Sequence, residues 1–188
     1  PFPIEVSGEG HRWHINETPP WRYEHDSPNL RRDAYLRYGE ELFGQKFFDA
    51  IPLQTDVGEV EGIAFVLPHT ASLAAKKTHR VYLKNMLLSE QAEGLLPDWA
   101  FFVKCVVNSN GLRPTAARES FYEDDALDEC RAMLGKQLRD YLIHLSRHDR
   151  DRLDGLIDLH YLAIKALAVE DEDFYRLFID WLPFETSL

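Results

Sequence analysis

Phe102-Val103-Lys104-Cys105-Val106-Val107-Asn108-Ser109-Asn110-Gly111-Leu112 runs directly into Arg113-Pro114-Thr115-Ala116-Ala117-Arg118-Glu119. The first part reads as a short apolar strand, Gly111 marks a loop, and the Arg118-Glu119 pair comes just ahead of a long helical pattern. Beyond Asp124, Leu127, Cys130, Leu134, Leu138, Tyr141 and Leu145 recur every three or four residues, a one-sided helical stripe. Glu123, Asp124 and Asp125 stand at its start, where negative charge complements the helix dipole. A second helix carries Leu153, Leu156, Ile157, His160, Ile164 and Leu167. A third starts near Asp171 and carries Phe174, Leu177, Phe178 and Trp181 up to a stop at Pro183.

Upstream, Phe2 to Val6 and Arg12 to Ile15 read as short strands, and Pro19-Pro20 breaks the chain before Trp21. Ser27-Pro28 is a helix start, Tyr35, Tyr38, Leu42 and Phe43 follow at helical spacing, and Gly44 is placed to end the helix. Val60 to Leu67 and Val81 to Leu88 read as strands, the latter with weak alternation. Leu95 to Trp99 is a turn feeding the strand at Val103 to Val107. Mixed strands and helices followed by three consecutive helices predict an α/β class: a layered α/β subdomain with a mixed sheet over residues 1–123, followed by a short helical coil over 124–188.

Hydrophobic residues make up 45% and charged residues 28% of the 188, an ordinary globular balance that argues against disorder. A net charge of −11 argues against a nucleic-acid partner, because phosphate binding needs a basic face. No apolar run approaches the ~20 residues that span a bilayer. Cys105 and Cys130 have no disulfide or zinc spacing and read as buried thiols, which suits a reducing cytoplasm. The chain opens Pro-Phe-Pro and closes Thr-Ser-Leu, and reads as a piece of something longer.

Self-contained chemistry is absent from the pattern: there is no Gly-rich phosphate loop and no nucleophile elbow. His144 and His148 share a helix face without a third metal ligand. His11 and His14 lie on skewed strand faces, and the acids from Glu123 to Glu129 read as a solvated helix start. Lys76, Lys77 and Arg80 form a small basic patch beside Leu73, read either as a solvated loop or as a contact surface for an acidic or partly unfolded partner. Trp21 reads either as a core residue or as an aromatic interface anchor. An Arg on a loop is ordinarily a surface charge. Arg118 gains interest because its guanidinium suits phosphate oxygens and because a flexible Gly111 to Ala117 loop would let it swing outward.

Several motifs in order resemble the middle segment of the 90-kDa heat-shock chaperone family, in a divergent, bacterial HtpG-like form. Ile15-Asn16-Glu17-Thr18-Pro19-Pro20-Trp21 resembles the family's Asn-Lys-Thr-Lys-Pro-(Ile/Leu)-Trp. Glu61 to Pro68 resembles its strand ending Phe-Val-Pro, and Val81 to Leu88 its Leu-Tyr-Val-Arg-Arg-Val-Phe-Ile. Leu95-Leu96-Pro97-Asp98-Trp99 is similar to Leu-Ile-Pro-Glu-(Tyr/Trp), and Val106 to Ser109 to Val-Val-Asp-Ser. In the catalytic loop the family has Asp-Leu-Pro-Leu-Asn-(Ile/Leu)-Ser-Arg-Glu where this chain has Gly111-Leu112-Arg113-Pro114-Thr115-Ala116-Ala117-Arg118-Glu119. Arg118 and Glu119 are retained, the family's Asn is Thr115, its Ser is Ala117, and its Gln four residues past the Arg is Tyr122.

The resemblance implies that Arg118 reaches the terminal phosphate of ATP held with Mg²⁺ by a separate N-terminal domain, with Thr115, Glu119 and Tyr122 supporting the loop. It implies a C-terminal dimerisation domain, a homodimeric parent with ATPase activity, no cofactor in this segment alone, and client proteins met by Trp21, Leu73, Lys76 and Lys77. Protein folding under stress, in the cytoplasm, is the expected setting. Two alternatives stay open: an interaction scaffold that has lost ATPase coupling, favoured by Thr115, Ala117 and Tyr122, and the transducer domain of another ATPase of the same superfamily.

Overall fold

The structure is a computed structural model that describes residues 5–8, 11–14 and 18–182, with side chains from residue 18 onward. Two short antiparallel strands, β1 (Glu5–Gly8) and β2 (His11–His14), come first. The rest of the expected opening strands, the Ile15-Asn16-Glu17 part of the first motif and the stop at Pro183 lie outside the described residues, as do the side chains of His11 and His14.

Helix α1 (Pro28–Phe43) begins as its sequence dictates. Ser27 Oγ accepts from Leu30 N at 3.2 Å, and Pro28 occupies a first-turn position where no N–H is needed. It ends at Gly44, whose φ of 67° lies in the left-handed region and lets its N–H reach Glu40 O at 2.9 Å. Gly39 faces the sheet, and a Cβ there would come 2.6 Å from Phe65 Cε1, so the glycine allows the helix to lie close.

A five-stranded sheet follows, β3 (Asp49–Thr55), β4 (Val60–Val66), β5 (His79–Leu83), β6 (Met86–Ala92) and β7 (Val103–Ser109), in the order β3-β4-β7-β5-β6. All neighbours are antiparallel except β5 and β7, so the sheet is mixed, as the α/β reading requires. The sequence reading names no strand over residues 49–55, a run that Pro52 interrupts. The structure makes β3 an edge strand, the position where a missing backbone donor is tolerated. Gln137 covers that edge: its Oε1 accepts from Gln54 N at 2.8 Å, and its amide nitrogen donates to Gln54 O.

The run from Val81 to Leu88 is a second difference. It folds back on itself at Lys84 and Asn85, both left-handed (φ 51° and 64°), in a two-residue hairpin turn. Asn85 N donates to Asn108 Oδ1 at 2.7 Å and Lys84 N to Ser109 O at 2.8 Å, so β7 holds the turn in place.

Helices α2 (Asp125–His148), α3 (Arg150–Glu170) and α4 (Glu172–Phe178) are capped by Asp124, Asp149 and Asp171, each accepting a backbone N–H in the first turn. In α2 it is Leu142, not Tyr141, that completes the buried stripe; Tyr141 is half-buried and turns its hydroxyl to Asp49. Alternation along the central strands splits the core in two. Ile63, Phe65 and Val106 pack with Tyr35 of α1, whereas Val60, Ala64, Val66, Cys105 and Val107 pack with the helices that follow the sheet. With both faces covered, β4 and β7 are buried almost throughout, which explains their continuous apolar reading. Cys105 and Cys130 are both free and buried in that second cluster; burial raises both thiols, Cys130 to about 11.

Candidate functional site: the Arg118 hairpin

Beyond Ser109 the chain stays fastened to the entrance of β4. Ser109 Oγ donates to Gly58 O at 2.6 Å and accepts from Leu112 N at 3.0 Å, while Gly111 N reaches Gly58 O at 2.9 Å. Leu112 is buried, and from there the chain enters a small hairpin rather than a free loop. Tyr122 N donates to Arg113 O at 2.7 Å, Pro114 pairs with Phe121, and Thr115 N donates to Ser120 O at 2.9 Å. Phe121 is the anchor, buried in the main core cluster. The expected flexibility of Gly111 to Ala117 therefore gives way to a hydrogen-bonded stem. The signal was Phe121, the one large apolar ring beside Tyr122 in a stretch of small and charged residues, whose register with Pro114 no local pattern displays.

Thr115 closes the turn. Its carbonyl accepts from Arg118 N at 3.0 Å, and its hydroxyl lies 3.3 Å from Ser120 O and 3.4 Å from Glu119 N. Arg118 is left in the left-handed region at φ 56°, a conformation that costs a side-chain-bearing residue ~1–2 kcal/mol. Its guanidinium is exposed and makes no hydrogen bond or ion pair among the described residues. Glu119 is exposed as well. Tyr122 is 52% exposed, with the guanidinium carbon of Arg113 5.2 Å from its ring centroid. Arrayed this way, the hairpin holds out a cation with five N–H donors toward whatever lies outside the fold.

The basic loop between β4 and β5 borders the same region. Lys76 Nζ pairs with Glu93 Oε1 at 2.9 Å, and the backbone oxygen of Glu93 accepts from Ser120 Oγ of the hairpin at 3.2 Å. Lys77 Nζ donates to Asp98 O at 2.9 Å. Leu73 is half-buried against the main cluster. An open pocket of about 290 Å³ lies between this loop and the Glu93 to Ala100 turn, with buried His79 in its lining. Lys76, Lys77 and the hairpin are thus brought together. Trp21 is not with them: half-buried, it packs with the α1-side cluster, edge-on to Tyr38 at 5.8 Å, and its buried indole N–H has no acceptor among the described residues.

Two histidines fasten the ends of the basic loop. His160, buried in α3, accepts from Ala71 N through Nδ1 at 3.4 Å and has Nε2 3.1 Å from Leu67 O. Burial lowers its pKa, while the bond to Leu67 opposes the shift. His79 Nδ1 accepts from Cys105 N at 3.2 Å, and burial, aided by Lys104 and Lys77, lowers its pKa to about 4. In the unfolded chain the ring takes a proton near pH 6.5. Its contribution is therefore complete above pH 6.5 and is lost as pH falls toward 4, on the order of 3 kcal/mol in all. Urea unfolding of the protein between pH 7 and pH 4 should show stability falling more steeply than in His79→Gln. Parallel slopes for the two proteins would refute this assignment.

Other expected features lie where ordinary structure needs them. The rings of His144 and His148 are 4.5 Å apart, and among the described residues no three His, Cys, Asp or Glu side chains cluster as metal ligands. Asp124 caps α2, and Glu123 and Asp128 pair with Arg131. No helix among the described residues is long and apolar enough to cross a membrane.

Residues 65–188 match the family model described as Hsp90 protein. The chain is 26% identical over 167 residues to Chaperone protein HtpG of Oleidesulfovibrio alaskensis, covering 81% of this chain and 24% of that protein. It is 27% identical over 161 residues to Chaperone protein HtpG of Nitratidesulfovibrio vulgaris, covering 80% and 24%. With the protein of the same name from Desulfotalea psychrophila it shares 24% identity over 107 residues, 57% of this chain and 17% of the relative. The chain thus spans about a quarter of the length of the first two relatives it matches.

Proposed function

The chain belongs to the Hsp90 family, and on that premise we propose that it is the middle segment of an ATP-driven molecular chaperone. In this reading residues 1–123 are its α/β subdomain and residues 124–188 its helical extension. Arg118 is presented to the terminal phosphate of ATP bound, with Mg²⁺, by a separate N-terminal domain. The observation that carries the reading is the exposed, uncompensated Arg118 guanidinium at the turn of a hairpin fixed by Thr115 and Phe121. A surface arginine in a chain of net charge −11 has many carboxylates to choose from, and among the described residues this one pairs with none.

The nucleotide with its metal supplies the phosphoryl chemistry. The chain's own part is to orient Arg118: Thr115 sets the turn, Ser120 holds the stem to Glu93, and Glu119 continues the turn beside the Arg. Leu73, Lys76 and Lys77, beside the open pocket, form one contact surface for client polypeptides, and Trp21, packed with the other cluster, forms a second. A C-terminal dimerisation domain and a cytoplasmic setting complete the proposal, the latter supported by two free, buried thiols. The scaffold alternative has one observation in its favour: Tyr122, in the place of the family's Gln, is engaged with Arg113.

The test is a pair of titrations. The full-length protein should bind and hydrolyse Mg–ATP, whereas calorimetry of this 188-residue chain should show no stoichiometric site. A magnesium-dependent ATP site on the chain alone would overturn the division of labour, and a full-length protein without ATPase activity would leave the scaffold.

A further inference from the structure

Pairing within the hairpin decides which side chains look outward. Pro114 bridges Phe121, and Phe121 is buried at 3% exposure, so that pair faces the core. Side chains alternate along a strand, so the flanking pairs, Arg113 with Tyr122 and Thr115 with Ser120, face away from it. Arg113 and Arg118 are both exposed on this small hairpin, Arg113 about 7 Å along the strand from the Thr115 that closes the turn.

Among the described residues neither guanidinium pairs with a carboxylate. Glu119 lies next to Arg118 in sequence without pairing to either Arg, and Glu123 is taken by Arg131 at 2.9 Å. What Arg113 has instead is the face of Tyr122, 5.2 Å from its guanidinium carbon. A cation–π contact uses none of the guanidinium's N–H donors in a conventional hydrogen bond and leaves them available to an acceptor-rich anion. The two residues are also departures from the motif that the rest of the loop resembles, which has Pro and Gln there. The two departures touch each other, and that contact marks them as one feature.

We propose that Arg113, shelved on the Tyr122 ring, is a second guanidinium of the hairpin that contacts the phosphate chain of the nucleotide served by Arg118, with Tyr122 as its positioning residue. This rests on the function proposed above and adds a specific role for both residues. A planar fork on an aromatic shelf suits phosphate oxygens, and a pair of such forks suits a polyphosphate better than a single carboxylate.

The experiment uses the full-length protein with Mg–ATP, together with amide exchange on this chain. Arg113→Ala should lower kcat/KM about ten- to a hundredfold, the range for one charge-assisted contact. Arg113→Lys should lose part of that, Tyr122→Phe should match wild type, and Tyr122→Ala should reproduce Arg113→Ala. The double Ala variant should be no worse than either single, since both act through one contact. Exchange at the Arg118 and Tyr122 amides should stay protected in Arg113→Ala. Unchanged turnover in Arg113→Ala alongside an inactive Arg118→Ala would overturn this inference and leave the proposed function standing. Faster exchange at those amides would make Arg113 a structural staple and overturn it too. Wild-type turnover in both Ala variants would remove the proposed function itself.

Discussion

In the full-length protein, Arg118→Ala is expected to lower ATP hydrolysis by ~10²-fold or more, given that arginines supplied to a transferring phosphoryl group are worth ~10³–10⁵. Folding should be untouched. The side chain makes no bond among the described residues, and Ala bears the same left-handed backbone cost as Arg at φ 56°. ATP affinity should also change little, because the adenine and ribose are held elsewhere in the proposed arrangement. Arg118→Lys should recover only part of the rate, since an ammonium is a point charge and cannot reproduce the planar fork. Steady-state turnover and ATP binding, measured separately on the same variants, check both halves. Wild-type turnover in Arg118→Ala would move the function to the scaffold reading.

Asp49→Ala is expected to be the most destabilising single change at a polar residue, costing ~3–5 kcal/mol. The carboxylate is fully buried at the start of β3 and gathers three helices around it. Arg32 of α1 donates through Nε at 2.6 Å, Tyr141 of α2 through its hydroxyl at 2.5 Å, and Arg152 of α3 approaches to 3.9 Å. The Ala50 N–H adds a bond at 2.9 Å. Removing the carboxylate takes the anion from Arg32, leaves Arg152 with Asp149 alone at 2.9 Å, and deprives the Tyr141 hydroxyl of its acceptor. Burial, with the Asp49 charge, holds that hydroxyl well above the usual phenol range. For a domain of this size the midpoint should drop by roughly 6–20 °C in thermal unfolding. Asp49→Asn, which keeps the shape and one acceptor, should lose less. A midpoint unchanged in Asp49→Ala would show that the network contributes nothing net.

Much of the fold is legible locally. Ser27-Pro28 and Gly44 bound α1, Asp124 and Asp171 start helices, and the Leu127 to Leu145 stripe is the buried face of α2, because caps and periodicity act within a few residues. The β5–β6 turn is less legible. Lys84-Asn85 lacks the glycine that usually signals such a turn, and its left-handed residues are held by Asn108 and Ser109 of another strand. β3 was hidden for a related reason: Pro52 argues against a strand until its neighbours make it an edge.

Local pattern in the chain carries the α/β class, both limits of α1, the starts of α2 and α4, and the buried thiols. Each of these follows from side-chain type and short spacing, whereas the family likeness is a resemblance carried by several motifs in order along the chain. Tertiary structure alone decided that the Arg118 segment is a pinned hairpin, that Arg113 lies on Tyr122, that Lys76 and Ser120 share Glu93, and that Trp21 packs away from them with α1. It also made Asp49, one acid among 32 Asp and Glu, the point where three helices meet the sheet. Contacts of this kind join residues far apart in the chain, and their partners are chosen by strand register and by which face the core takes, neither of which a local pattern contains.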